Sequence, residues 1–324
     1  MDKTGRFMLQ YAQGFSDSGS AREPGRSCSP MLFLSNLVNG ISLGSIYAII
    51  ALGYTMVYGI AKMLNFAHGD IIMVGAYIAF CALQYWNLPP LLALLIAMGV
   101  CTLLGITIEG LAYRPLRQAT SLAVLITAIG MSYLLQNLAL LIWGANPKSF
   151  PSTMIQLPTL SLFSGRLKIS GVTVVAIVAN LLIMAALTSF TSLTKLGKAM
   201  RCVSEDRGAA QLMGINVNRT ISATFAIGSA LAAIAGILLC SAYPTLMPTT
   251  GSMPGIKAFT AAVFGGIGSI PGAMIGGILL GVIEILGKAY ISTELGDAIV
   301  FAVLIIVLLF RPTGLLGKPI REKV

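Results

Sequence analysis

Residues 71–108 read IIMVGAYIAFCALQYWNLPPLLALLIAMGVCTLLGITI, 38 positions without a charged side chain. A helix rising about 1.5 Å per residue crosses a hydrocarbon layer of about 30 Å in about 20 residues, so this stretch is nearly twice one crossing. In its middle stands Asn87-Leu88-Pro89-Pro90, where proline rings block a helix interior and push the preceding residue out of helical geometry. The stretch reads as two membrane helices joined by a turn.

Working outward, further uncharged runs cover 31–61, 118–147, 169–194, 220–256 and 258–283, and nearly all Lys, Arg, Asp and Glu fall between them. The pattern predicts an all-α, polytopic transmembrane bundle with eight or nine membrane segments. They are expected near 34–60, 64–84, 91–111, 120–143, 170–191, 220–242, 257–269, 271–289 and 296–310. The seventh is short. Gly265, Gly266, Gly268, Pro271 and Gly272 separate it from the eighth, a spacing that predicts a broken or re-entrant hairpin. Such a break survives at membrane depth only where protein or a wet path satisfies the freed backbone groups. Gly265, Gly266, Gly268 and Pro271 are therefore translocation candidates, whose opened backbone could hydrogen-bond a passing zwitterionic substrate.

Composition agrees. The chain is 56% apolar and 10% charged, with mean hydropathy +0.87, whereas a soluble domain carries about 25% charged residues. The net charge of +10 is spread over short gaps between apolar runs, which marks topology rather than a nucleic-acid surface. Alternating segments place Lys62, Arg114, Arg117, Lys195, Lys198, Arg201, Arg207, Arg219, Arg311, Lys318, Arg321 and Lys323 on one side, the expected cytoplasm. The other side receives Lys148, Arg166, Lys168, Lys257, Lys288 and the four basic residues of the amino-terminal tail. Residues 1–30 are polar and punctuated by Gly, Ser and Pro, so a disordered tail is expected there. Because the apolar run begins directly after Met31, the tail is a candidate start-site extension, and residues 31–318 form the membrane domain.

Glycine supplies 35 of the 324 residues and recurs four apart in Gly40/Gly44, Gly272/Gly276 and Gly277/Gly281, spacings that let helices pack closely in lipid. Five cysteines show neither metal-ligand nor disulfide spacing. One histidine, with no Cys/His cluster and no Ser/His/Asp set, proposes no catalytic residue and no metal site.

Ionisable groups inside apolar stretches are costly and face a bundle interior or a wet path. The candidates are Asp70, Glu109 and Glu284, with His68 beside the first. Asn65 is placed to cap the second helix and Asp70 to complement its positive end, and the trio Asn65, His68 and Asp70 could equally serve as a gate. Glu109 is expected to pair with Arg114. Lys288 follows Glu284 by four residues, one helical turn, so Glu284 is either a paired structural charge or a translocation residue.

The polar gap 195–219 is too long to be a mere connector. Ser204, Glu205 and Asp206 can cap and charge a helix start, and Ala209-Ala210-x3-Gly214-Ile215 predicts a short helix, a glycine stop and a second turn. This resembles the coupling loop of ABC-importer permeases, whose pattern is Glu-Ala-Ala-x3-Gly. Gly208 stands where that pattern has its glutamate, and the downstream Leu-Pro is absent. Further motifs run in order: Gly40 to Ala48, Asn65-Phe-Ala-His-Gly-Asp70, Ala112-Tyr-Arg-Pro-Leu-Arg117, Lys257 to Gly272, and Arg311-Pro-Thr-Gly-Leu-Leu-Gly317. Together, over roughly 36–317, they resemble the LivH-type permeases of branched-chain amino acid ABC transporters.

The resemblance implies a permease subunit in a bacterial inner membrane, importing leucine, isoleucine and valine. Its implied partners are a LivM-type second permease, two cytoplasmic ATPase subunits and a periplasmic binding protein. ATP and Mg would sit on those ATPases. No Gly-Lys in this chain carries the following Ser or Thr of a phosphate-binding loop, so the chain is expected to be no enzyme and to bind no cofactor. The implied coupling residues are Ser204, Glu205, Asp206, Gly208, Ala209, Ala210 and Gly214. Relatives of this type also serve urea, short amides and other amino acids. An ion-coupled secondary transporter would instead carry several paired acidic residues deep in the bundle.

Overall fold

The structure is a computed structural model, which describes residues 30–155, 158–162 and 167–317. The expected tail, Arg166 and the basic residues Lys318, Arg321 and Lys323 lie outside the described residues.

Helix α1, Pro30–Ala61, has no distinct polar side, and 89% of its most apolar window is buried. A helix without a polar side belongs in the middle of a bundle. Gly40 and Gly44 make this possible. A Cβ on Gly44 would lie 2.7 Å from the Ile278 Cα, and one on Gly40 2.8 Å from the Val282 Cα. After α1 come α2, His68–Gln84; α3, Pro90–Ile108; α4, Ser121–Trp143; and α5, Gly171–Leu193. Two short polar-loop helices follow, α6, Lys195–Glu205, and α7, Arg207–Leu212. Then come α8, Val217–Ala242; α9, Ser252–Gly265; α10, Ile270–Tyr290; and α11, Gly296–Phe310. Six of these are long and apolar enough to cross a membrane: α1, α3 with its terminal turn, α4, α5, α8 and α10. In α4 only 17% of the apolar window is buried, which leaves that helix at the periphery, where a lipid-facing helix spends its apolar residues.

The turn expected between α2 and α3 is present: Asn87 adopts φ 49°, and Pro90 starts α3 at a position where its missing N–H costs nothing. Short antiparallel strand pairs decorate that end of the bundle, β1, Lys148–Ser149, with β4, Thr245–Leu246, and β2, Leu160–Leu162, with β3, Leu167–Ile169. At the opposite, basic end lie α6, α7 and residues 311–317.

Two helices start later or earlier than the apolar pattern suggests. α2 begins at His68, not near 64. Lys62 takes a left-handed φ of 53°, and the chain folds back until the His68 ring lies 4.6 Å from that of Tyr54. Tyr54 is seven residues before the end of α1, about 10 Å up its axis. α9 begins at Ser252, five residues before the expected start, because Pro254 falls in its first turn, where proline is tolerated. It ends at Gly265, since Gly266 has φ 105°.

Candidate functional site

At the basic end the polar loop is built from caps. Thr194 opens α6 by accepting the Gly197 N–H at 2.9 Å. Asp206 opens α7, its Oδ1 accepting from Gly208 N at 2.8 Å and Ala209 N at 3.0 Å. Asn216 opens α8 through Arg219 N at 3.1 Å. Gly214, at φ 80°, makes the reversal between α7 and α8. Thus Asp206 alone caps α7. Ser204 and Glu205 instead close the preceding helix, with the Ser204 hydroxyl donating to the Arg201 carbonyl at 2.7 Å. The amphipathic α6, which buries Gly197, Met200 and Val203, was not expected as a separate helix; its 3.6-residue period was present in the sequence.

The short helix α7 turns Ala210 inward and leaves Gly208 and Ala209 exposed. Leu212 and Met213 are 91% and 83% exposed, an unusual placement for large apolar side chains in a charged loop. Arg207 donates to the Ala61 carbonyl at the end of α1, so α7 is tied to the central helix. Burial, and then the charge of Arg117, lowers the Arg207 pKa from its usual value.

Close by, Glu109 is 1% exposed and starts a wide turn, Glu109–Tyr113, closed by Arg114 N–H donating to the Glu109 carbonyl at 2.7 Å. That turn corrects the expected Glu109–Arg114 pair. Its extra residue per turn carries the Arg114 side chain away, and the next loop returns Arg117, whose guanidinium binds Glu109 and Asn218. Ser222 adds a hydrogen bond to Glu109 Oε2 at 2.5 Å. The cluster bolts α3 to the base of α8.

Deeper in the bundle, Asp70 Oδ1 accepts from Gln136 Nε2 at 2.9 Å, and the same amide reaches Ser252 Oγ at 3.2 Å. The first turns of α2 and α9 therefore meet around one carboxylate, in the place favoured by their N-terminal dipoles. Asn65 does not cap α2; its Oδ1 accepts from the Tyr113 hydroxyl at 2.9 Å, because the fold-back turns its side chain toward α3. At the turn after α9, the Phe264 and Gly265 carbonyls accept from Leu315 and Leu316 N–H at 2.9 and 3.0 Å. The carboxy-terminal segment thus occupies two of the backbone groups that the Gly265–Gly272 break sets free. Gly268 has φ 93°, and Ser269 caps α10 ahead of Pro271 through Gly272 N at 3.2 Å.

Near the strand-bearing end, Glu284 is 1% exposed. Its Oε1 binds Lys288 Nζ at 2.5 Å, the expected pair, and also Lys257 Nζ at 2.7 Å. Its Oε2 accepts from the Tyr47 hydroxyl at 2.9 Å, and Lys257 reaches Asp297 at 2.6 Å. Lys257 and Lys288 are therefore helix residues inside an ion network and not loop charges marking a membrane side. The signal for Lys257 lay in the sequence, a lone cation interrupting an apolar run, but its partner 27 residues away did not. Among the described residues no cluster of His, Cys, Asp and Glu could hold a metal ion.

The family profile described as branched-chain amino acid transport system, permease component, matches residues 36–308. The chain is 46% identical over 313 residues to the high-affinity branched-chain amino acid transport system permease protein LivH of Salmonella typhimurium, covering 91% of this chain and 98% of that protein. It is 47% identical over 305 residues to the corresponding BraD of Pseudomonas aeruginosa, covering 90% and 98%. More distantly, it is 25% identical to the fructose import permease protein FrcC of Rhizobium meliloti, over 90% of this chain and 84% of that one. With the profile spanning most of the bundle and these identities running nearly end to end, the chain belongs to the permease components of branched-chain amino acid transport systems.

Proposed function

We propose that this chain is the transmembrane permease subunit of an ATP-driven importer in a bacterial inner membrane, carrying leucine, isoleucine and valine handed over by a periplasmic binding protein. Its partners are a second permease of LivM type and two cytoplasmic ATPase subunits, which hold ATP and Mg. The observation that carries the reading is α7. It is a short, capped helix with small exposed residues, Gly208 and Ala209, beside exposed Leu212 and Met213, and it is joined by Arg207 to the central helix. Such a helix fits a groove on an ATPase, and its displacement is passed on to α1 as a rigid-body shift.

On this reading, eight or nine segments lie within the membrane, with α2 and α9 as half-crossings and the Gly265, Gly266, Gly268 and Pro271 turn as a break. Asp70, where the two half-helices meet, acts as a gate with Asn65 and His68, together with Glu284 at the far end.

The test is reconstitution with the partner subunits and measurement of solute-stimulated ATP hydrolysis and uptake. Leu212→Asp and Gly214→Val should abolish leucine uptake while the permease remains folded. Uptake at the wild-type rate by either variant, or full-speed transport with no ATPase present, would overturn the reading. Stimulation by urea or a short amide in place of leucine would keep the machine and replace the cargo.

A further inference from the structure

A cavity of about 450 Å³ opens at the strand-bearing end, between the beginnings of α1 and α5 and the ends of α8 and α10. Its wall combines the amides of Asn36 and Asn39 and the Ser241 hydroxyl with the apolar side chains of Leu43, Ile46 and Ile285. Among the described residues one cation reaches it, Lys288.

Lys288 and Lys257 compete for the same oxygen of Glu284, yet they are not equivalent. The Lys257 side chain is 7% exposed and holds Asp297 as well, whereas that of Lys288 is 33% exposed and bonds only Glu284 among the described carboxylates. If Lys288 swings away, Glu284 retains Lys257 and the Tyr47 hydroxyl, so no buried charge is left unpaired. The Lys288 stem packs closely against Gly296, where an added Cβ would sit 2.5 Å from the lysine Cε, and the cavity that Lys288 lines is the space into which its ammonium can swing.

We infer that this cavity is a binding site for a zwitterionic α-amino acid within the permease, with the Lys288 ammonium as the ligand of its carboxylate; the inference rests on the proposed import function. A carboxylate entering the cavity restores the ion pair that Lys288 gives up. The Asn36 and Asn39 amide oxygens and the Ser241 hydroxyl offer acceptors for the substrate ammonium, and Leu43, Ile46 and Ile285 meet a branched side chain. At about 450 Å³ the cavity falls within the size range of small-molecule sites, roughly 300–1,000 Å³.

The test uses the full complex in proteoliposomes. Lys288→Met should lower leucine uptake at least about tenfold, the size of one lost charge-assisted hydrogen bond, while Lys288→Arg, which keeps the charge, retains most of it. Independently, Ser241→Cys in a background carrying Cys28→Ser, Cys81→Ser and Cys202→Ser should react with a cationic thiosulfonate, and leucine should slow that reaction. Leucinol, with the same side chain and no carboxylate, should not. Wild-type uptake by Lys288→Met, equal labelling with and without leucine, or equal protection by leucinol would each overturn the site while leaving the import function standing. A wild-type complex that moves neutral amides and ignores leucine would overturn both.

Discussion

Glu109 and Glu284 are two carboxylates, each 1% exposed, set toward opposite ends of the bundle, and each had a basic neighbour in sequence as its expected partner. For Glu284 that neighbour, Lys288, is correct; for Glu109 the true partner is Arg117 in place of Arg114. The difference is local geometry. Lys288 lies one regular helical turn from Glu284, so side chains four apart share a face. Between Glu109 and Arg114 the helix widens into a turn of five residues, and residue spacing no longer reports direction. Ion pairs can be read from sequence within a regular helix and not across a helix end.

The two clusters also differ in connectivity. Glu284 satisfies two ammonium groups and a tyrosine from three helices, while Glu109 answers one guanidinium and one serine. Glu284→Ala should therefore have the largest effect, leaving two cations without their common anion at a cost of about 3–5 kcal/mol, seen as loss of monodisperse folded protein. Arg117→Ala should cost about 2 kcal/mol, because Glu109 keeps Ser222; a thermal shift as large as that of Glu284→Ala would contradict the ranking. Tyr47→Phe removes one hydrogen bond to Glu284 and should cost about 1.5 kcal/mol, measured by thermal unfolding in nanodiscs. Asp206→Ala should cost about 1 kcal/mol through the lost cap of α7, with its main effect on solute-stimulated ATP hydrolysis. Arg114→Ala should leave thermal stability unchanged, and a loss equal to that of Arg117→Ala would restore the sequence-based pairing.

Glycine spacing shows the same division. Gly40/Gly44 and Gly277/Gly281 could be recognised as close-packing positions, and they do bring α1 against α10. Which helix would meet which was open, because small-residue motifs carry no label for their partner. The second pair on α10, Gly272/Gly276, serves α9 instead: a Cβ on Gly276 would lie 3.0 Å from the Gly265 Cα. In the polar loop, the cap at Asp206, the short helix and the Gly214 stop were all legible, since capping and glycine reversal are local chemistry. Exposure of Leu212 and Met213 was not, because their sequence gives no sign of which face of α7 the bundle leaves uncovered.

The order of apolar runs, the breaks at Pro89-Pro90 and Gly266, and the motifs of residues 36–317 determined that the chain is a helical membrane permease, because hydrocarbon thickness and backbone hydrogen bonding leave a chain this apolar few alternatives. Tertiary structure alone decided that α2 starts inside the bundle beside Tyr54, that Lys257 shares Glu284 with Lys288, and that Arg207 reaches Ala61. Each of these joins residues far apart in the chain, and their meeting depends on how helices pack, a property that no local pattern encodes.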